Sequence, residues 1–257
     1  MRLIKYSNFI KESKEDIHSI CKKYNIQNYV VNEDGTVDVD GNVDLYSNGI
    51  NRPELKELPL RFGKVSGDFS CSIHKLTNLS GAPREVGGYF ACEHNQLTSL
   101  ERSPEKVGGR FYCSNNQLNS LEGAPREVGG SFYCSRNQLT SLSGSPRSVG
   151  GDFECHSNKL TSLEGISKYI SGRINCRYNK LRDVMGVNEN WRGEFLVEDN
   201  PIHEIFKLFP LKRWDEVIEF LNEYAVIGPD NTIESDALKQ VFIEMDLPFL
   251  LKNYTLR

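Results

Sequence analysis

No stretch of about 18 apolar residues occurs in this chain of 257 residues, so no membrane-spanning helix is expected. A surplus of positive charge is missing too. Lys and Arg number 31 against 35 Asp and Glu, a formal net charge of -4, which argues against a nucleic-acid binder that relies on phosphate neutralisation. Residues Met1 to Ile10 carry charge but neither an apolar core nor a small-residue cleavage site, and a mature start rather than a signal peptide is expected. No Ser-His-Asp or paired-carboxylate constellation stands out, so no enzymatic activity is expected. Wholesale disorder is excluded by a 38% hydrophobic content beside 26% charged residues.

What the chain does contain is a repeat. In steps of 21, one template reads L-x-x-L-x-G-x-P-x-x-V-G-G-x-F-x-C-x-x-N-x from Leu76, and recurs from Leu97, Leu118 and Leu139 with almost every marked position kept. Weaker copies begin at Leu55, Leu160 and Leu181. One column runs Phe69, Phe90, Phe111, Phe132, Phe153, Ile174, Phe195; another runs Asn95, Asn116, Asn137, Asn158, Asn179, Asn200, with His74 in the first copy. In F-x-C two apolar residues alternate with a polar one, the pattern of a short strand with one buried face. The Asn is expected to turn the chain and to bond backbone groups of neighbouring turns with its amide. The leucines close the coil, and Gly and Pro in L-x-G-x-P exclude helix there. The opposite side should therefore be extended or turn-like. Gly87-Gly88 and Gly129-Gly130 suit a tight turn into the next strand and absorb the extra residue between Val86 and Phe90.

Six cysteines share one column: Cys71, Cys92, Cys113, Cys134, Cys155 and Cys176. A column at strand spacing packs a core better than it builds the four-ligand convergence of a zinc site. Free, buried thiols, a reducing compartment, and neither metal nor cofactor are expected. Cys21 with His18 three residues before it reads as helix packing rather than as a nucleophile and its base. The run Asp38-Val39-Asp40-Gly41-Asn42-Val43-Asp44 lacks the spacing and terminal Glu of a calcium loop and reads as acids on the wet face of a hairpin. The glycine pairs are not phosphate loops, because no lysine-serine or lysine-threonine follows them.

The expected fold class is an α/β repeat: a solenoid of about eight turns with parallel strands, little helix on the convex side, a helix and hairpin as N-terminal cap, and a helical C-terminal cap. Residues 1–42 form the first cap, with a helix over Ser7 to Tyr24 and a hairpin turning at Glu33-Asp34-Gly35. Residues 43–202 hold the repeats, with a longer first turn through Val43, Leu45, Asn48 and Ile50. Residues 203–257 hold the second cap, with helices over Leu211 to Tyr224 and Ser235 to Met245 and a break at Gly228-Pro229.

The portion F-x-C-x-x-N-x-L-x-x-L resembles the leucine-rich-repeat superfamily over about residues 43 to 202. The opening YVVNEDGTVDVDGNVDL, the GAPREVGG copies and the exit NPIHEIFKLF look like short-repeat proteins encoded by large tailed bacteriophages. That resemblance implies action in the cytoplasm of an infected bacterium and no particular activity.

Between the buried positions lie residues that vary while the framework stays constant. From these a partner-binding, concave face is expected, carrying Tyr89, His94, Arg110, Tyr112, Tyr133, Arg136, Glu154, Arg173, Arg177 and Tyr178. Tyr and Arg at its centre are the residue types that dominate protein interfaces. The expected partner is a bacterial host protein, which the chain would engage and inhibit, with a defence component in view; neither nucleic acid nor membrane is expected. Two alternatives stand beside this: sequestering of a small ligand or nucleotide by Arg110, Arg136 and the tyrosines, and a substrate-selecting repeat domain of an enzyme.

Overall fold

A computed structural model of the protein describes residues 16–46, 54–228 and 230–247. The repeats wind as a coil with a parallel sheet on each of two sides. In the first sheet run β2 (Val37–Val39), β4 (Phe62–Val65), β6 (Glu85–Val86), β8 (Lys106–Val107), β10 (Glu127–Val128), β12 (Ser148–Val149) and β14 (Tyr169–Ile170), with β1 (Tyr29–Val31) added antiparallel at its edge. In the second run β3 (Val43–Asp44), β5 (Phe69–Ser70), β7 (Phe90–Ala91), β9 (Phe111–Tyr112), β11 (Phe132–Tyr133), β13 (Phe153–Glu154), β15 (Ile174–Asn175) and β16 (Phe195–Leu196). These eight strands bound about seven turns, one fewer than expected. Among the described residues no helix is long and apolar enough to cross a membrane.

The side expected to be extended or turn-like is therefore an ordered sheet, and among the described residues the repeats carry no helix. Its strands pair residue for residue along the coil: Glu85 faces Lys106, which faces Glu127. Turns donate N–H groups to the turn before them, as in Arg84 N to Gly63 O at 2.7 Å and Glu105 N to Arg84 O at 2.9 Å, which pairs these amides along the coil.

Between the sheets the core is a set of columns. Phe69, Phe90, Phe111, Phe132 and Phe153 are fully buried and stack at 5.4 to 5.5 Å between ring centroids. The leucine pairs, from Leu76 and Leu79 to Leu160 and Leu163, close each turn with no exposed surface. All seven cysteines are free and buried, Cys21 included. Burial pushes the column thiols well up, which keeps them protonated and inert as nucleophiles.

The Asn ladder carries the backbone between turns. Asn116 Oδ1 accepts from Leu97 N at 3.0 Å, while its Nδ2 donates to Cys92 O at 3.0 Å and Cys113 O at 3.1 Å. Asn95, Asn137, Asn158, Asn179 and Asn200 repeat the pattern. The bend itself is made by the residue before each Asn. His94, Asn115, Arg136, Ser157, Tyr178 and Asp199 all sit in the left-handed region, with φ between 54° and 57°. His74 does the work of Asn in the first copy: Leu55 N donates to its Nδ1 at 3.1 Å, and its Nε2 lies 2.7 Å from Leu45 O.

The glycine pairs turn the chain from the first sheet to the second, as expected, but for a different reason. Their φ values are not left-handed; the requirement is space. A Cβ on Gly108 would fall 2.2 Å from Gly87 O, and one on Gly129 2.0 Å from Gly108 O.

At the start, helix α1 covers 16–23; the rest of the helix expected from Ser7 lies outside the described residues, as do Asn48, Ile50 and Pro229. The hairpin forms as β1 and β2, and β2 is already the first parallel strand of the first sheet, pairing with β4. Its acids hold the next turn: Asp38 accepts from Lys64 N at 2.7 Å and Asp40 from Ser66 Oγ at 2.8 Å. After Asn200 come α2 (His203–Phe206), a 3-10 turn (Leu211–Arg213), α3 (Trp214–Glu223) and α4 (Ser235–Glu244). Ile205 and Phe206 of α2 are fully buried, and the Phe206 ring lies 5.6 Å from that of Phe195 in the last strand.

Candidate functional site

Alternation along the second sheet puts Phe and Cys inward and the residues between them outward, so register alone assembles three outward columns. Parallel pairing sets Ser70 beside Ala91, Ala91 beside Tyr112, Tyr112 beside Tyr133, and Tyr133 beside Glu154. Tyr112 and Tyr133 stack face to face, 4.7 Å between centroids and 8° between planes. Tyr89 meets Tyr112 edge-on at 6.0 Å. The three rings form one aromatic ridge over three turns.

Arg110 lies at the edge of this ridge, its Nη1 3.4 Å from Tyr112 Oη; that bond leads the interactions holding the guanidinium above its ordinary value. Arg136, exposed and left-handed, stands on the next turn on the other side. His94 and Tyr178 are exposed members of the same left-handed column, at the ends of the ridge rather than on it.

The remaining expected residues do something else. Glu154 is only 4% exposed. Arg173 reaches it at 2.8 Å and Asn175 Nδ2 donates to it at 2.7 Å, so its carboxylate is consumed within the sheet. Arg177 is paired with Glu198 at 2.5 Å; this hydrogen bond is the main reason that the Glu198 carboxyl is lowered to about 2. His156, between these groups, is held below its ordinary value first by burial and then by Arg136 and Arg177. The face thus divides into an open centre of Tyr89, Arg110, Tyr112, Tyr133 and Arg136 and an internally neutralised end of Glu154, Arg173, Arg177 and Glu198.

Two outward positions that look free in the sequence are structural. Asp68 Oδ1 accepts from Tyr89 N at 2.8 Å and Asp152 Oδ1 from Arg173 N at 3.0 Å, each satisfying an amide of the following turn. What sequence reasoning passed over is Glu93. Its Oε2 is buried with no hydrogen-bond partner, although its repeat position holds Ser72, Ser114 and Ser135 on other turns. An acid between serines on the turns to either side is the signal that could have marked it.

His18 and Cys21 both turn to Tyr29: His18 Nδ1 lies 2.7 Å from its Oη, and the buried Cys21 thiol also bonds it. Among the described residues no group of three or more His, Cys, Asp or Glu side chains is placed to hold a metal ion. The chain matches no protein-family model, and neither a curated protein nor a solved structure matches it significantly.

Proposed function

We propose that this protein is a non-enzymatic binding module of leucine-rich-repeat type, phage-encoded, which engages and inhibits a bacterial host protein in the host cytoplasm through the outer face of its second sheet. The observation that carries the binding reading is the aromatic ridge of Tyr89, Tyr112 and Tyr133 flanked by Arg110 and Arg136. Rigid aromatic rings bury area at low entropic cost, and a guanidinium without a carboxylate partner is ready to bond one on another molecule. The repeat type is supported by the Asn ladder and the F-x-C strand; the origin and the host target rest on the sequence resemblance.

The test is to identify a partner by pull-down from host lysate, then measure its affinity for Tyr112→Ala, Tyr133→Ala and, as control on the first sheet, Arg84→Ala. Each tyrosine variant should lose about 2 kcal/mol or more of binding. Because the two rings stack, each should also lose roughly 0.5–1.5 kcal/mol of folding stability, so affinity is measured well below the melting temperature. Unchanged affinity in both tyrosine variants, or loss in the control alone, overturns the assignment of the face.

A further inference from the structure

Glu93 presents an energetic anomaly. A carboxylate accepts hydrogen bonds only, and a buried oxygen left without a donor is costly. Glu93 Oε2 is such an oxygen. On the adjacent turn, at the same repeat position, Ser72 is 2% exposed and its Oγ also lacks a partner. Register places the two side by side on one face, since Cys71 N donates to Ala91 O at 2.8 Å and Ile73 N to Glu93 O at 3.0 Å. A buried carboxylate oxygen and a buried hydroxyl, neither with a partner, thus adjoin each other.

Their surroundings are of one character. The Tyr89 phenol is pushed up first by burial and then by the charges of Asp68, Asp44 and Glu93, so three carboxylates act on this ring. Tyr89 remains 38% exposed, and aromatic faces attract organic cations. A metal ion would need convergent ligands, whereas an ammonium or guanidinium needs one carboxylate, one hydroxyl and a ring.

We propose that Glu93, whose side chain is only partly buried, turns its carboxylate outward beside Tyr89 to seat a cationic side chain, a lysine or arginine of the protein partner. The proposal rests on the reading of this face as the partner surface and adds the partner's chemistry: a positive residue next to a segment that lies over the Tyr112 and Tyr133 stack. A buried carboxylate oxygen without a donor would be retained at a cost to the free protein because a bound cation answers it.

The experiment uses the full chain and Glu93→Gln. The variant should melt about 2–4 °C higher than the parent, because a charged group with one buried oxygen that lacks a donor has been replaced by a neutral amide. N-acetyl-arginine N-methylamide is then titrated into each protein and followed by amide shifts of Ser72, Tyr89 and Glu93, with the citrulline analogue as a neutral control. Saturable shifts with the arginine probe in the parent are expected, at least tenfold weaker binding of the citrulline probe, and loss of both in the variant. A lower melting temperature for Glu93→Gln shows the carboxylate to be compensated internally and overturns the proposal, as do absent shifts or equal binding of the two probes. The wider reading fails separately: it falls if Tyr112→Ala and Tyr133→Ala leave partner affinity unchanged, whatever the probes do.

Discussion

His74 shows how narrowly one residue can be specified by its neighbours. The seat at the end of each strand demands an acceptor for an amide of the preceding turn and a donor for a carbonyl. Asn supplies both from one side-chain amide; a neutral imidazole protonated on Nε2 supplies both from its two nitrogens. His74→Asn should therefore change unfolding free energy by less than about 0.5 kcal/mol, as for a substitution that keeps both bonds. His74→Ala should cost about 1–3 kcal/mol by leaving Leu55 N and Leu45 O without their partner. Urea denaturation of the two variants separates these outcomes, and equal losses would show that the ring's bulk, not its bonding, is what the site requires. The same logic separates Asp68 and Asp152 from the open centre of the face, since each holds an amide of the following turn.

At the scale of the element, the corner between the two sheets is the tightest point of each turn. Gly87, Gly108, Gly129 and Gly150 stack so closely that each would put a Cβ within 2.2 Å of a carbonyl oxygen one turn back. A backbone carbonyl, fixed by the chain on either side of it, cannot swing away as the end of a flexible side chain can. Gly108→Ala should cost about 1–3 kcal/mol or more, the range of overpacking in a dense interior, measured as a fall in denaturation midpoint with the slope unchanged. A neutral result would mean that neighbouring turns slide apart freely and that the pairing Glu85–Lys106–Glu127 is looser than its register implies. Exposed, ion-paired columns on this sheet, such as Lys64 with Glu85 and Arg84 with Glu105, contribute little beside that constraint.

Over the whole molecule, stability propagates from turn to turn, so the ends matter more than their size suggests. Phe195 of the last turn packs against Trp191 and against Phe206 of α2, and Val197 and Ile205 are fully buried in the same core. Ending the chain after residue 202 strips α2 away and leaves these side chains to water. The truncated protein should aggregate on expression or elute as large species in size-exclusion chromatography. A soluble product with a single cooperative melting transition would show that the last turn closes without the C-terminal helices.

Much of the architecture was legible without coordinates because a repeat reports its own register. A period of 21 puts Phe on Phe, Cys on Cys and Asn on Asn, and no other stacking buries all three columns at once. The parallel F-x-C sheet, the hairpin and the helices after Asn200 follow from that periodicity and from ordinary turn and helix patterns. The tertiary structure decided what depends on neighbours one turn away. Glu85-Val86 reads as a turn in isolation and becomes a strand only because adjacent turns offer it a ladder. The glycine pairs look like conformational hinges, yet packing against the previous turn is what forbids a side chain there. Glu154 and Arg173 look like contacts for a partner and are spent on each other, whereas Glu93, one outward residue among many in the sequence, is left with a buried oxygen that nothing in the sheet answers. Sequence periodicity sets which residues share a column; only three-dimensional contact decides which of them are already satisfied and which remain for another molecule.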